Sequence, residues 1–296
     1  MMNLANCNIC PRKCGINRYS SKGFCGANSK IKVAHYGIHK WEEPIISGIN
    51  GSGTVFFSNC NLKCIFCQNR KISMNGYGKE ISARRLGEIL LELQSKGCHN
   101  INLVTPTMYV PQIVGVLHKI KGNYLKIPVV YNTSSYENCE TIKYLKNSVD
   151  IYLADLKYYD NNLGIKYSNC ERYFEVASLA INEMYRQVGK FIIKDNILVK
   201  GLVVRILVLP GHIEDSKNII DYLFNKYGDN IIISIMNQYT PVNKCEKYNN
   251  LNRCLTDDEY NEVVEYACDI GVTYAFIQEG TTQLDSFIPE FNCEIV

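Results

Sequence analysis

FFSNCNLKCIFCQN, Phe56 to Asn69, sets three cysteines within eight residues directly after an apolar run. Buried core residues recur with a period of two in strands or 3.6 in helices. Cys60, Cys64 and Cys67 follow neither period. Their neighbours Asn59, Asn61, Lys63, Gln68 and Asn69 are polar, so the stretch reads as a loop at a strand end rather than a core segment. The seven steps from Cys60 to Cys67 span roughly 23–25 Å when fully extended. The loop must therefore curl back to gather its sulfurs around one centre. Soft thiolates favour zinc, copper(I) or iron–sulfur clusters. An ordinary [4Fe-4S] cluster takes four cysteines, so three local ones imply a distant fourth or one iron left open to another molecule.

Outward from this loop, strand-like runs alternate with helix-like ones, the pattern of a parallel α/β protein. Six strands are expected, at Thr54–Asn59, Ile101–Thr105, Ile127–Asn132, Val149–Lys157, Leu202–Pro210 and Ile231–Met236, with a seventh candidate at Val272–Gln278. Among the helices, SARRLGEILLELQSKG has Ser82 as its N-cap, an apolar face of Leu86, Ile89, Leu90 and Leu93, and Gly97 as its end. The longest runs from Glu171 to Gly189, and TDDEYNEVVEYACDIG has Asp257 and Asp258 in its first turn and Gly271 at its close. Periodicity does not separate an open sheet from an incomplete barrel. In either, functional groups gather at the C-terminal strand ends. That face takes the cysteine loop, Thr105, Thr107, Asn132, Thr133, Asp155 and Lys157, and then Arg205, His212, Asn237 and Gln238.

Over 296 residues the chain is 46% hydrophobic and 21% charged, close to soluble globular averages. A net charge of only +3, with signs mixed along the chain, argues against an extended nucleic-acid footprint. No 18-residue apolar run and no charged-then-apolar leader are present, so neither a membrane span nor a secretory signal is expected, and the cytoplasm is the expected location. Fourteen cysteines are many for a reducing compartment, where clustered thiols bind metal or do redox work. Cys98, Cys139, Cys170, Cys245, Cys254, Cys268 and Cys293 are scattered singles, read as buried or incidental thiols. Cys7, Cys10, Cys14 and Cys25 are spaced C-x2-C-x3-C-x10-C. Such a quartet can close a zinc site, hold a second iron–sulfur cluster, or supply a redox-active disulfide. We divide the chain into a cysteine-rich extension, residues 1–50, and a main domain, residues 51–296. His35 and His39 read as packing or substrate-loop residues, Glu42 and Glu43 as general acids or a solvated loop, and Tyr131 and Tyr239 as neighbours of the mouth.

The C-x3-C-x2-C spacing after the first strand, with Phe66 before the last cysteine, resembles the signature of the radical S-adenosylmethionine superfamily. That resemblance implies a partial (β/α)6 barrel and a [4Fe-4S] cluster on Cys60, Cys64 and Cys67. The open iron would be chelated by S-adenosylmethionine, with Phe66 near the adenine. Within the superfamily, CNICPRKCGINR, GFCGA, WEEPIISG, NINLVTPT, VVYNTSSYE, DIYLADLKYYD and NQYTP are similar to the pyruvate formate-lyase activating enzymes, most of all to their homologues with a cysteine-bearing N-terminus. This likeness implies cofactor-binding roles for Thr105, Asn132, Asp155 and Lys157, with a monovalent cation near Asp155 and the S-adenosylmethionine carboxylate near Lys157. It also implies an electron donor such as flavodoxin or ferredoxin, and a protein or peptide substrate, as in a glycyl-radical activator. No catalytic acid or base is singled out. The chain departs from the activators at Asn132, where they have Asp, at Thr105–Pro106–Thr107 in place of a Gly-Gly-Glu segment, and at Asn237 and Gln238, where they carry a histidine. Two other readings stand beside this one: a radical enzyme acting on RNA or a small metabolite, and a non-enzymatic electron carrier or zinc-stabilised interaction module.

Overall fold

The computed structural model describes residues 2–241, 247–278 and 291. Its strands are β1 (Ile31–His39), β2 (Ser52–Phe57), β3 (Lys79–Ile81), β4 (Ile101–Val104), β5 (Val129–Thr133), β6 (Ile151–Asp155), β7 (Ile192–Lys194), β8 (Ile197–Leu207), β9 (Ile232–Met236) and β10 (Ala275–Ile277). The six expected strands are β2, β4, β5, β6, β8 and β9, and the seventh candidate is β10. They form one parallel run in the order β10-β9-β8-β6-β5-β4-β2. The sheet then continues antiparallel through β1 to β3. Its end strands do not pair, so the described sheet is an open, partial barrel.

Three strands escaped the sequence reading, each for a local reason. β1 mixes Lys32, His35, Gly37 and His39 into its apolar residues. β3 and β7 are three residues long and mostly exposed, so they carry no alternation. β1 nevertheless joins the main sheet, pairing along β2 from Val33 with Phe57 to His39 with Ser52.

Helices cover the outer face, which is why β2, β4, β5 and β9 are buried along their whole length. Ser82 caps the helix Ala83–Ser95 by accepting from the Arg85 amide at 3.1 Å, and Leu86, Ile89, Leu90 and Leu93 are fully buried. Tyr173–Val188 and Asp257–Asp269 supply the other expected helices, and Thr256 completes a capping box with Glu259. Burying a Leu or Ile side chain contributes about 1.5–3 kcal/mol, so these faces fix the helices against the sheet. Of the scattered cysteines, Cys98 and Cys170 are buried, Cys139 is half-buried, and Cys254 and Cys268 are exposed. Cys245 and Cys293 lie outside the described residues. No helix among the described residues is long and apolar enough to cross a membrane.

Candidate active site

The parallel strands all deliver their C-terminal ends to one cavity of about 680 Å³, a size suited to a small-molecule cofactor. Cys60, Cys64, Cys67 and Phe66 line it together with Thr105, Asn132, Asp155 and Lys157. Every residue expected at the main site therefore borders the same space. Thr133, Arg205, Gln238 and Tyr239 line it as well, whereas Thr107, Tyr131, His212 and Asn237 do not. Thr107 and Tyr131 turn instead to Glu137, and His212 bonds the Tyr167 hydroxyl at 2.8 Å.

The cysteine loop is curled by its own backbone. Asn59 and Lys63 adopt positive φ angles of 77° and 58°, conformations to which a short polar side chain such as that of Asn adapts well. The Leu62 amide donates to Cys60 Sγ at 3.4 Å, the Cys67 amide to the Cys64 carbonyl at 3.1 Å, and Ser168 Oγ to Cys64 Sγ at 3.0 Å. Burial pushes all three thiols upward, Cys67 to about 12, while Lys157 pulls Cys60 and Cys64 back down. Metal loading must therefore release protons, and it does so against a lysine and backbone amides that favour thiolate. Phe66 is held edge-on by Tyr158, Tyr167 and Tyr239, at ring distances of 6.4, 6.4 and 6.0 Å.

Facing the thiols is a buried charge network that no local sequence pattern announces. Asp155 ends β6 and is in register with Arg205 of β8. Its carboxylate receives Lys157 Nζ on one oxygen and Arg205 Nε on the other, both at 2.8 Å. The same guanidinium reaches Asn132 Oδ1 at 2.7 Å and Glu42 Oε2 at 3.2 Å. Burial alone would raise Asp155, yet Arg205 and Lys157 outweigh it and hold the carboxyl below its ordinary value. Burial also pushes Glu42 up, against the pull of Arg205. Glu42 is thus no solvated loop residue: its side chain is 10% exposed and lines the cavity. Glu43 is buried as well. The one available signal for this network was Arg205 itself, a charge inside the apolar run LVVRILVLP.

Thr105 follows β4 with a φ of 56°, an outlier for a β-branched residue. Such a conformation costs on the order of 1–3 kcal/mol and is held by its amide bond to the Asn132 carbonyl at 2.9 Å. Strain at a strand end facing a cavity marks a site rather than a core.

The model of the Radical SAM superfamily matches residues 54–223, from β2 past the charge network. The chain belongs to the radical SAM superfamily. An uncharacterized protein of Methanocaldococcus jannaschii is 31% identical over 275 residues, covering 88% of this chain and 74% of its own. Two solved structures share the fold. SuiB of Streptococcus suis bound to precursor peptide SuiA has a TM-score of 0.52 at 18% identity over 75% of this chain. HydG, a maturase of the [FeFe]-hydrogenase, has a TM-score of 0.52 at 15% identity over 77% of this chain. The chain spans 46% and 52% of those two proteins, about half their length. Membership in the radical SAM superfamily implies a [4Fe-4S] cluster and S-adenosylmethionine. The cavity fits both, offering three soft thiols from one loop, Lys157 and Arg205 for a carboxylate, and aromatic rings that include Phe66 and Tyr239. No three His, Cys, Asp or Glu among the described residues are gathered around a single ion. A multi-iron cluster asks its ligands to stand farther apart than that.

Proposed function

We propose that this radical SAM enzyme holds its [4Fe-4S] cluster on Cys60, Cys64 and Cys67, binds S-adenosylmethionine beside it, and removes a hydrogen atom from a protein or peptide. The observation that carries this reading is the shared cavity, in which the three thiols face the Asp155–Lys157–Arg205 network. Once bound, the cluster and S-adenosylmethionine together supply a 5′-deoxyadenosyl radical. The chain's own work is positioning and exclusion of water. Lys157 and Arg205 present positive charge to the methionyl carboxylate, Asp155 keeps both cations in place, and the Tyr-braced Phe66 offers an apolar wall for the adenine.

The likeness to the activating enzymes implied a monovalent cation near Asp155. Here Arg205 already binds Asp155, Asn132 and Glu42 at once. A guanidinium is therefore proposed in the cation's place, and exchanging sodium for potassium should leave S-adenosylmethionine binding unchanged.

A macromolecular substrate is favoured by the mouth. Among the described residues the sheet is open at its ends, and Trp41, 67% exposed, lines the rim beside Lys40. An apolar ring next to a lysine suits an extended peptide better than an enclosed metabolite. Electrons would come from a flavodoxin- or ferredoxin-like donor. The test is anaerobic incubation with reductant, S-adenosylmethionine and cell lysate. The expected products are 5′-deoxyadenosine and a protein-centred radical doublet in electron paramagnetic resonance. Cofactor turnover that modifies RNA or a metabolite without a protein radical would overturn the substrate assignment. No 5′-deoxyadenosine at all would overturn the enzyme reading.

A further inference from the structure

The four N-terminal thiols lie outside the radical site, yet they share a space of their own. Cys7, Cys10, Cys14 and Cys25 all line one small pocket of about 10 Å³ with Arg12, Arg18 and Phe24. That is room for a single ion. The backbone around it is already folded as a knuckle. The Cys7 amide bonds the Ile16 carbonyl and the Gly15 amide bonds the Cys7 carbonyl, each at 2.9 Å, while Lys13 and Gly15 turn through positive φ angles of 40° and 64°. The Ala27 amide points at Cys25 Sγ at 3.5 Å, and the Arg12 amide lies against Cys10. Four thiolates around a divalent ion leave net negative charge, and Arg12 and Arg18 stand ready to balance it.

Arg12 also faces the other way. From its place between Cys10 and Cys14 it donates to the Asn61 carbonyl at 3.0 Å, the Ser168 carbonyl at 3.1 Å and the Asn169 carbonyl at 2.5 Å. Its guanidinium stacks 4.0 Å from the Phe24 ring. Asn61 sits in the cluster loop, and Ser168 holds Cys64.

We infer that Cys7, Cys10, Cys14 and Cys25 bind one structural zinc ion, and that this ion fixes Arg12 as a latch on the loop carrying Cys60, Cys64 and Cys67. Since no three ligands are yet drawn to single-ion distance among the described residues, the ion closes the side chains over a backbone that is already shaped. Zinc suits a four-cysteine site with no open position, and it adds rigidity without redox chemistry.

The test uses the full chain with Cys60, Cys64 and Cys67 all replaced by Ala, purified anaerobically and analysed for metals. One zinc per chain is expected, exchangeable for cobalt(II) with the absorption of a tetrahedral thiolate site. Iron with sulfide in that variant, mononuclear iron, or a metal-free chain with an oxidised cysteine pair would each overturn the zinc site. Cys14→Ser, at an exposed thiol, and chelation of zinc from the unmutated protein guard against misfolding, and both should lower zinc content. The latch is read separately. Arg12→Ala should keep its zinc but lose cluster iron to a chelator about tenfold faster or more, the scale seen when a group that orients metal ligands is removed, with Arg12→Lys in between. Unchanged iron release would refute the latch while leaving the zinc site standing. Neither result depends on cleavage of S-adenosylmethionine, so failure here is distinguishable from failure of the proposed function.

Discussion

Two groups of cysteines, one in a knuckle and one on a strand-end loop, use the same ligand atom in opposite surroundings. Around Cys60, Cys64 and Cys67 the chain leaves about 680 Å³ and a network of buried charges. Around Cys7, Cys10, Cys14 and Cys25 it leaves about 10 Å³ and two arginines. Thiol chemistry is set by what else fits beside the sulfur. Space and cations next to three thiols leave room for a reacting molecule, whereas a small pocket among four has room for a single ion.

The sharpest way to break this comparison is to remove one thiol from each group. Cys64→Ala should abolish the cluster's absorption and reduce 5′-deoxyadenosine to background, because three ligands are already the minimum. Cys14→Ala should lower 5′-deoxyadenosine yield only in proportion to the cluster lost. Equal effects from the two replacements would mean that the groups are not functionally distinct.

Glu137, bonded to Thr133 at the cavity wall, gives a pH-dependent test. Its Oε1 accepts from Thr107 at 2.6 Å, Thr133 at 2.7 Å and Tyr131 at 3.1 Å, while Oε2 has no hydrogen-bond partner among the described residues. Burial raises its carboxyl from 4.5 to about 7, despite those donors. A raised carboxyl means that the folded state holds the proton more tightly than the unfolded chain. Its contribution to stability is therefore greatest at low pH and declines as pH climbs from about 4.5 to about 7. The full shift corresponds to about 3 kcal/mol. Glu137→Gln should remove that decline, so the variant gains on the unmutated protein between pH 5 and pH 8 in urea midpoints. A constant difference across that range would place the titration elsewhere.

The smallest expected effect lies far from both cysteine groups. Thr256→Ala removes the cap of the helix Asp257–Asp269 and should cost about 1 kcal/mol of stability, with zinc and cluster content unchanged. A loss of either metal would show that the regions communicate through the whole sheet.

Much of the frame was legible because its signals are local. Strand runs between helical faces announced the seven parallel strands, and Ser82 and Gly97 bracketed a helix as their chemistry requires. The C-x3-C-x2-C loop announced itself because its spacing fits no packing period. β1 was missed because two histidines and a glycine interrupt its pattern, although pairing with β2 overrides that weakness. Glu42 was left open between a general acid and a solvated loop, because a carboxylate before Glu43 and Pro44 carries no local signal of burial.

By itself, then, the sequence determined where the thiols cluster, the order of strands and helices, and hence the face on which Asp155 and Lys157 emerge. Tertiary structure alone decided that Arg205 meets Glu42 across 163 positions, that Asp155 is shared between two cations, and that one cysteine pocket is roomy and the other small. The physical reason is range. Backbone periodicity, capping and ligand spacing act over a few residues and are written in order along the chain. Charge pairing and cavity volume depend on side chains that become neighbours only when the sheet has curled around them.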